Sequence, residues 1–358
     1  MLAAVVSELP DLRDTTVGIA AISLSGGGAE RQAALWASAA VSRGARVRVL
    51  ALEGGSASYA VPDEATIEIV GKLARRDAGR AIRQLRRFAR SCDAIAAFQP
   101  YMGMLLTFAG VSRHIIVTGQ DPRFWGDTTR TPPFMLRAAF RRAAAATAPS
   151  AGLIDCHRKL GVRPRGDRWL HVPNIVAQEA FGGAHPGERS GVLFVGRLVP
   201  EKEPLLAMRA ATGAGLPITF LGDGPMRAQI EEESRRTGIE HLVELHPFTP
   251  SPWDLFARHR VLLLTSRYET FANVIVESLA AGTPVVSVDC DFGPREILAD
   301  ARFSRLTSRS EADLAAALRE VASVPRGEQE AAECLAIAKR YEQSALEPAI
   351  VAALRTAV

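Results

Sequence analysis

Short runs of apolar, often β-branched residues alternate with longer amphipathic stretches along the whole chain, and this alternation most constrains the fold. In the first half, the predicted strands cover residues 16–23, 46–52, 93–98, 113–119 and 168–172. In the second half, they cover residues 191–196, 217–222, 260–266 and 284–288. Nearly continuous apolar strands separated by helices are typical of parallel sheets covered on both faces. The pattern therefore predicts an α/β protein.

The predicted helices lie between these strands, and the chain is long enough for two sheets. They cover residues 29–44, 203–213, 225–237, 273–281 and 310–323. A chain of 358 residues exceeds the usual size of one hydrophobic core, and residues 182–191 form a turn-rich connector. We predict two doubly wound, Rossmann-like domains whose parallel sheets face each other across a cleft. They span residues 1–180 and 181–338, and a C-terminal helix at 339–358 packs back on the first.

Composition and motifs exclude several classes of protein. No apolar run reaches the roughly 18–20 residues of a membrane-spanning helix. The first residues lack the positive and apolar regions of a signal peptide. Cys92, Cys156, Cys290 and Cys334 are far apart and form no CxxC pair, so we expect neither a disulfide framework nor a zinc site. This cysteine usage predicts a reducing cytoplasm.

The net charge of +4 is unevenly distributed. Residues 1–185 carry 24 basic and 15 acidic side chains, whereas residues 186–358 carry 19 and 24. Five arginines of the first half recur at helical spacing: Arg76, Arg80, Arg83, Arg87 and Arg90. Such a stripe fits either the solvated face of a surface helix or docking to anionic lipid. No nucleic-acid-binding motif accompanies the arginines, so we expect no nucleic-acid partner.

Open parallel sheets bind ligands at the carboxyl ends of their strands, so those loops are the candidate site. After the first strand, Gly26, Gly27 and Gly28 lead into a helix. Glycines let a backbone approach a ligand closely, and a helix N-terminus offers N–H groups to an anion. The structural alternative is a tight strand-to-helix turn without a ligand.

Two loops of the second half carry charged residues at strand ends. The segment VGRLVPEK places Arg197 and Lys202 where they could grip a diphosphate, although a solvated basic loop is the alternative. Further on, Glu269 follows a strand, and Glu277 lies eight positions later inside a predicted helix. An acid among apolar helix residues indicates contact with a ligand hydroxyl or a partner, whereas an exposed helix charge is the alternative.

Taken together, these segments resemble a known family. The Glu-x7-Glu spacing, the SLAAGTPVV that follows it, VGRLVPEK, LGDGP and GGGAER are similar to the motifs of retaining glycosyltransferases of family 4, which have the GT-B fold. The segment CDFGPREIL resembles members that use UDP-linked sugars, particularly N-acetylhexosamines. The resemblance covers nearly the whole chain. It implies a bacterial, metal-independent, retaining hexosyltransferase that needs no cofactor beyond its nucleotide-sugar co-substrate.

The resemblance also implies roles for individual residues. Arg197 and Lys202 match the pair that binds the donor diphosphate, and Glu269 matches the acid near the donor sugar's hydroxyls. These three are the predicted catalytic residues. Glu277 matches the acid that binds the nucleotide ribose. The full predicted substrate-binding set is Gly27, Gly28, Asp121, Gly222, Thr270, Phe271, Asn273 and Glu277.

Three positions need separate comment. TGQDP stands where relatives carry a His or an Arg-Asn-Asp-Pro-like segment, which leaves Asp121 as the candidate there. The usual Gly-Phe-Pro after the first Glu is Thr270-Phe271-Ala272 here, which leaves donor identity open. Asp289-Cys290-Asp291 reads as an Asp-x-Asp metal motif, but its place after a late strand favours ordinary loop chemistry, so we expect no metal site.

We therefore expect a transferase that moves a hexose or N-acetylhexosamine from a nucleotide sugar to a glycan or polyprenyl-linked acceptor in cell-surface polysaccharide assembly, and the resemblance favours a UDP-linked donor. The alternatives are transfer to a small soluble acceptor in specialised metabolism, a nucleotide-sugar epimerase of similar fold, and a catalytically silent partner subunit. The chain has all four charged residues of the family motifs, Arg197, Lys202, Glu269 and Glu277, which argues against a catalytically silent subunit. The expected location is the cytoplasm, peripheral on the inner face of the membrane if the arginine stripe binds lipid.

Overall fold

The computed structural model of the protein describes two compact units. The described residues are 12–25, 27–54, 60–71, 78–125, 131–182, 189–249, 252–324 and 327–358. Unit 1 comprises the chain up to Ile175 together with Gln343–Val358, and unit 2 comprises Val176–Glu342. The sequence placed these two boundaries at 180/181 and 338/339.

Unit 1 is built on a parallel sheet of seven described strands in the order β3-β2-β1-β4-β5-β6-β7. The strands are β1 (Thr16–Ala21), β2 (Arg46–Ala51), β3 (Thr66–Ile69), β4 (Ala94–Phe98), β5 (His114–Val117), β6 (Ala145–Ala148) and β7 (Trp169–His171). The sequence missed β3 because it is an exposed edge strand, with Ile67 and Ile69 about half exposed, and edge strands lack a continuous apolar run. It left β6 as a short buried strand after an Ala-rich helix end, since Ala has weak strand propensity.

Helices cover both faces of this sheet. They are α1 (Gly28–Ser42), α2 (Ala78–Arg90), α3 (Pro100–Phe108), α4 (Pro133–Arg142) and α5 (Ala151–Lys159). The apolar side of α1, with Ala33, Trp36 and Ala40, is buried in the core. Gly44, with a φ of 83°, ends the segment as predicted, because glycine adopts the left-handed conformation without strain.

Unit 2 repeats this architecture with six described strands in the order β10-β9-β8-β11-β12-β13. The strands are β8 (Val192–Val195), β9 (Ile218–Leu221), β10 (Val243–His246), β11 (Val261–Leu264), β12 (Val285–Val288) and β13 (Arg305–Thr307). The four central strands are the ones predicted from the sequence. The two outer strands were missed because they are only half-buried and carry polar residues.

The described α-helices of unit 2 are α6 (Pro204–Gly213), α7 (Arg227–Thr237), α8 (Trp253–Arg258), α9 (Asn273–Ala280), α10 (Gly293–Ile297), α11 (Glu311–Ser323) and α12 (Glu328–Ala338). Four of these seven, α6, α7, α9 and α11, lie close to their predicted positions, and α8, α10 and α12 were not predicted. The chain then returns to unit 1 as α13 (Gln343–Arg355). Leu346, Ile350 and Leu354 of α13 are buried in the core that contains α1. Within the described ranges, no helix has the length and hydrophobicity to cross a bilayer.

Strand order reverses once in each sheet, between β1 and β4 in unit 1 and between β8 and β11 in unit 2. All strand pairs are parallel, so the loops after these strands leave from one edge and diverge at the reversal. Gly27 follows β1, Arg197 and Lys202 follow β8, and Glu269 follows β11. The predicted fold of two doubly wound α/β sheets is confirmed, and it brings the predicted charged residues of unit 2 to its reversal point.

Candidate functional site

A Lys–Glu ion pair joins the loops that follow β8 and β11. Lys202 Nζ donates a hydrogen bond to Glu269 Oε1 at 2.5 Å, and Ser266 Oγ donates to the same oxygen at 2.7 Å. The Lys202 and Glu269 side chains are 24% and 12% exposed, so the pair lies near solvent without being freely hydrated. Among the described residues, Glu269 Oε2 accepts no hydrogen bond. That oxygen can therefore accept one from a ligand hydroxyl.

The backbone holds both partners in place. Glu269 N donates to Asp291 O and Phe292 N donates to Glu269 O, which ties this loop to the one after β12. Thr265 Oγ1 donates to Lys202 O at 2.8 Å, which ties the strand end to the loop after β8. Because these bonds do not involve the charged groups, the ion pair does not have to organise the loops by itself. The site is preorganised.

Arg197 differs from the other arginines of unit 2. Its side chain is exposed, and its guanidinium makes no hydrogen bond or ion pair with the described residues. Every other described arginine of unit 2 binds a carboxylate or a carbonyl oxygen, as Arg260 binds Glu330 and Arg319 binds Gly213 O. A planar guanidinium left open at the end of β8 is available to a phosphate-like anion.

Two glycines let the loop after β9 press against the loop that carries Arg197. Gly222 has a φ of 144°, and a Cβ built on it would lie 2.1 Å from Gly196 O. A Cβ on Gly224, where φ is 157°, would lie 2.4 Å from Leu198 O. Neither position tolerates a side chain. The structure therefore gives Gly222 a packing role beneath Arg197, and its predicted contact with substrate stays a prediction.

The remaining predicted residues of unit 2 surround the start of α9. Phe271 is buried with its ring against Tyr341, and Thr270 and Asn273 are half-buried. Asn273 and Glu277 are four residues apart in α9 and share one face of the helix. Glu277 is buried, at 4% exposure, which argues against the exposed-charge alternative. The sequence thus identified a buried acid one turn inside this helix.

In unit 1, Gly27 and Gly28 lie at the start of α1 as predicted, and Gly26 lies outside the described residues. The carboxylate of Asp121 is hydrogen-bonded within the protein. Its carboxylate accepts hydrogen bonds from the backbone N and the guanidinium of Arg123, at 2.9 Å and 2.6 Å, and its side chain is 3% exposed. Arg123, whose side chain is 39% exposed, is the group that reaches the surface. The sequence analysis missed it, although an Asp-Pro pair favours a turn in which the Asp side chain binds the backbone N–H two residues on.

Gln99 is a second residue that the sequence missed. It follows β4 at the reversal point of unit 1 and has φ 77° and ψ 145°, a region that residues other than glycine rarely adopt. Its side-chain oxygen lies 3.5 Å from Gln120 Nε2. Backbone strain of this kind concentrates at functional sites. No sequence signal marks a strained glutamine.

The predicted arginine stripe is present on α2, except that Arg76 lies outside the described residues. Arg80, Arg83, Arg87 and Arg90 are exposed. Ala81, Leu85 and Phe88 on the opposite side of the helix are buried.

The Asp-x-Asp segment after β12 is held by contacts within the protein. Asp289 binds Arg295. Burial, and then the charge of Glu269, raise the pKa of Cys290 to about 12, so its thiol is protonated at neutral pH. Across the described ranges, no cluster of three or more His, Cys, Asp or Glu side chains is arranged to hold a metal ion.

Residues 177–339 match the family model of Glycosyl transferases group 1. A protein of Campylobacter jejuni named N-acetylgalactosamine-N,N'-diacetylbacillosaminyl-diphospho-undecaprenol 4-alpha-N-acetylgalactosaminyltransferase is 32% identical over 117 residues, 32% of each chain. The GDP-mannose-dependent alpha-mannosyltransferase of Mycobacterium tuberculosis is 30% identical over 182 residues, 48% of this chain and 46% of its own. The chain therefore spans about a third to a half of the length of these relatives.

Solved structures with the same fold cover most of the chain. HepE from Anabaena in complex with UDP has a TM-score of 0.77 and 18% identity, over 93% of this chain and 97% of its own. WaaG, a glycosyltransferase involved in lipopolysaccharide biosynthesis, has a TM-score of 0.70 and 18% identity, over 94% and 99%. At this identity, the likeness establishes the fold.

Proposed function

We propose that this chain, whose residues 177–339 match the family model of Glycosyl transferases group 1, is a glycosyltransferase that moves a hexose or N-acetylhexosamine from a nucleotide sugar to a glycan or lipid-linked acceptor. One observation carries the proposal. An open cation, Arg197, lies on the loop after β8 that also carries Lys202, and Lys202 pairs with Glu269 of the loop after β11, at the strand-order reversal of unit 2. That combination suits a ligand with both phosphate and hydroxyl groups.

The proposed chemistry follows from the charge that develops during the reaction. As the bond from the anomeric carbon to the phosphate breaks, negative charge grows on the departing diphosphate. Arg197 and Lys202 would stabilise that charge, and the N–H groups at the start of α9 would add to the same field. These groups are chain residues, so the proposed step needs no metal ion.

Glu269 is proposed to hold the donor sugar rather than to attack it. Lys202 and Ser266 both donate to its Oε1, which lowers the electron density of the carboxylate and fixes its orientation. Its open Oε2 would accept a hydrogen bond from a sugar hydroxyl. A retaining reaction would then proceed by front-face attack, with the leaving phosphate helping to deprotonate the acceptor, and Glu277 would bind the nucleotide ribose.

Two nucleotides are candidates for the carrier of the donor sugar, UDP and GDP. HepE binds UDP, which favours a UDP-sugar, whereas the mycobacterial relative is GDP-mannose-dependent, which favours a GDP-sugar. The C. jejuni relative acts on a diphospho-undecaprenol acceptor, which favours a lipid-linked acceptor here. We also propose that the exposed arginines of α2 dock the protein to anionic lipid on the cytoplasmic face, where each cation contributes about 1 kcal/mol.

The decisive experiment measures nucleotide release from a panel of UDP- and GDP-sugars, with and without membrane lipid extract. We expect release from one nucleotide class, stimulated by the extract, and a strong loss in Arg197→Ala. Arg319→Ala is the matched control, because that arginine binds a backbone carbonyl elsewhere in unit 2.

Other outcomes would support the alternative functions. Stimulation by a small soluble compound instead of lipid would indicate transfer in specialised metabolism. Conversion of the donor into a different nucleotide sugar without any acceptor would indicate an epimerase. If no nucleotide sugar binds at all, both enzymatic proposals fail and the chain acts as a silent partner.

A further inference from the structure

Two adjoining grooves open at the amino-terminal edge of the unit 1 sheet. One, of about 610 Å³, is lined by Arg113, Arg165 and Arg168 together with Ser112, Ala144 and Val358. The other, of about 490 Å³, is lined by Arg86, Arg90 and Arg113 with Ser112, Asp93 and Gly110. Arg113 and Ser112 line both grooves, so the two grooves lie side by side. We call this surface the arginine groove.

The arginine groove lies away from the candidate functional site. Arg113 directly precedes β5, and Arg168 directly precedes β7. In a parallel sheet, the strand starts form the edge opposite the strand ends. Gly27, Gln99 and Asp121 follow the ends of their strands. The groove therefore cannot be an extension of the ligand edge of unit 1.

The protein does not neutralise the cations of this groove. Arg90, Arg113, Arg165 and Arg168 are exposed, and none of their guanidinium groups makes a hydrogen bond or ion pair with a described residue. Asp93 is the acidic side chain in the lining of the groove, and its Oδ2 already accepts a hydrogen bond from Thr16 N.

The acidic residue next to Arg168 in the sequence is also paired with other side chains. Asp167, the residue before Arg168, forms ion pairs with Arg158 at 3.3 Å and with Arg163 at 3.1 Å. These pairs show that arginines of the same region find partners where carboxylates are within reach. Of the groove arginines, Arg86 donates to Ala109 O at 2.8 Å, whereas Arg90, Arg113, Arg165 and Arg168 have no such partner among the described residues, so their charge remains available.

Helix capping does not explain these positions. Arginines in the last turn of a helix, such as Arg90 of α2, are stabilised by the negative end of the helix dipole. Arg113 and Arg168 lie in connections that lead into strands, and Arg165 begins a single 3-10 turn. Several like charges lining one groove repel one another, and a bound anion would offset that repulsion.

We propose that the arginine groove binds a phosphate-bearing anion at a site separate from the donor site. Guanidinium groups bind phosphate through paired N–H donors, and the grooves have the volume of small-molecule sites. The phosphate can come from a phospholipid headgroup or from a soluble oligophosphate. The inference does not depend on the transferase activity, because it uses neither Arg197 nor Lys202.

The test uses the full chain and two probes. Inorganic tripolyphosphate is titrated by calorimetry, and vesicles of phosphatidylglycerol are compared with vesicles of phosphatidylcholine by flotation. The triple variant Arg113→Gln/Arg165→Gln/Arg168→Gln removes the groove cations. Arg158→Gln/Arg163→Gln removes two arginines of the same unit that are paired with Asp167, and it serves as the control.

We expect the triple variant to bind at least one probe tenfold or more weakly than wild type, with less than a twofold change in the control. Loss confined to tripolyphosphate identifies a soluble anion, and loss confined to phosphatidylglycerol identifies a headgroup. Arg83→Gln/Arg87→Gln, on α2 outside the groove, separates the groove from the proposed lipid-docking stripe. Arg197→Gln separates it from the donor site.

Several results would overturn the proposal. These are no binding of either probe by the wild type, equal weakening in the control, and loss of binding in Arg197→Gln or Arg83→Gln/Arg87→Gln but not in the triple variant. If the triple variant does not fold, the same three positions changed to Lys keep the charge. Because Lys lacks the paired donors, we expect that variant to bind several-fold more weakly than wild type, and wild-type affinity would contradict the proposed guanidinium contacts.

Discussion

The two units treat their arginines in opposite ways. In the described part of unit 2, each arginine except Arg197 binds a protein oxygen. In the described part of unit 1, many arginines have no such partner: Arg83, Arg87, Arg90, Arg113, Arg137, Arg141, Arg142, Arg165 and Arg168. Unpaired arginines are therefore the exception in the described part of unit 2, whereas unit 1 has both paired arginines, such as Arg158 and Arg163, and many unpaired ones.

This difference shows what the uneven net charge means. Unit 2 has enough carboxylates to pair its arginines, so an unpaired one stands out as a ligand candidate. Unit 1 has too few, so its surplus collects on α2 and around the arginine groove. Net charge alone does not tell whether an arginine is paired or unpaired, because it counts the charges without showing which of them are in contact.

The largest expected effect concerns the buried ion pair of unit 2. Arg260 and Glu330 are 9% and 2% exposed and form two hydrogen bonds, and Arg260 also donates to Val321 O and Val324 O. Glu330→Gln leaves a buried guanidinium without its counter-charge, so we expect a loss of about 3–5 kcal/mol in the free energy of unfolding. Urea unfolding followed by circular dichroism measures this loss.

Arg113→Gln in unit 1 is the matched variant, since it removes an exposed arginine without a partner. We expect it to change the free energy of unfolding by no more than about 0.5 kcal/mol. Similar losses in the two variants would mean that the arginines of the two units do not differ in structural role.

A slightly smaller effect is expected at the candidate site. Lys202→Ala removes a cation from the proposed leaving group, and we expect turnover to fall by about 10²–10³-fold, the size typical of one lost electrostatic donor. The thermal unfolding midpoint should stay close to that of wild type, because the backbone bonds of this loop remain.

Lys339→Ala provides the control, since Lys339 is an exposed lysine of unit 2 that follows the end of α12. Unchanged turnover in Lys202→Ala, or an equal fall in Lys339→Ala, would contradict the assigned role of Lys202.

The smallest effect concerns the uncharged polar core of unit 1. His157 is fully buried among Trp125, Phe140 and Trp169, and burial lowers its pKa to about 4. Since the folded pKa lies below that of the unfolded chain, the imidazole binds its proton on unfolding. Stability is therefore full above about pH 6.5, and His157 removes about 1.4 kcal/mol per pH unit as pH falls toward 4.

Urea unfolding at pH 7, 6 and 5, followed by tryptophan fluorescence, measures that slope. In His157→Phe, the free energy of unfolding should depend less steeply on pH, because the contribution of His157 to the slope is removed. Leu153→Ala, a buried neighbour, should lower stability at every pH without changing the slope. A slope unaffected by His157→Phe would show that this imidazole is not buried neutral, and the contrast with the charged core of unit 2 would fail.

Much of the fold was predictable because a buried parallel strand is a local apolar run. β1, β8 and β11 lie within one or two residues of their predicted bounds. The outer strands β3 and β10 were not predicted, because one exposed face removes the apolar run that marks the others. The site was predictable in unit 2, where charged residues follow strands at fixed spacing, and much less so in unit 1.

The sequence by itself determined the two doubly wound sheets and the loops that carry Arg197, Lys202, Glu269 and Glu277, because strand periodicity and strand-end position are local properties. Only the tertiary structure decided how these charges are used. In the folded chain, Lys202 pairs with Glu269, which is 67 residues away in the sequence, and Asp121 pairs with Arg123. The arginines that line the arginine groove, in contrast, include several without a partner among the described residues. Partner choice depends on which strand ends the sheet order brings together, and that order is set by packing of the whole chain.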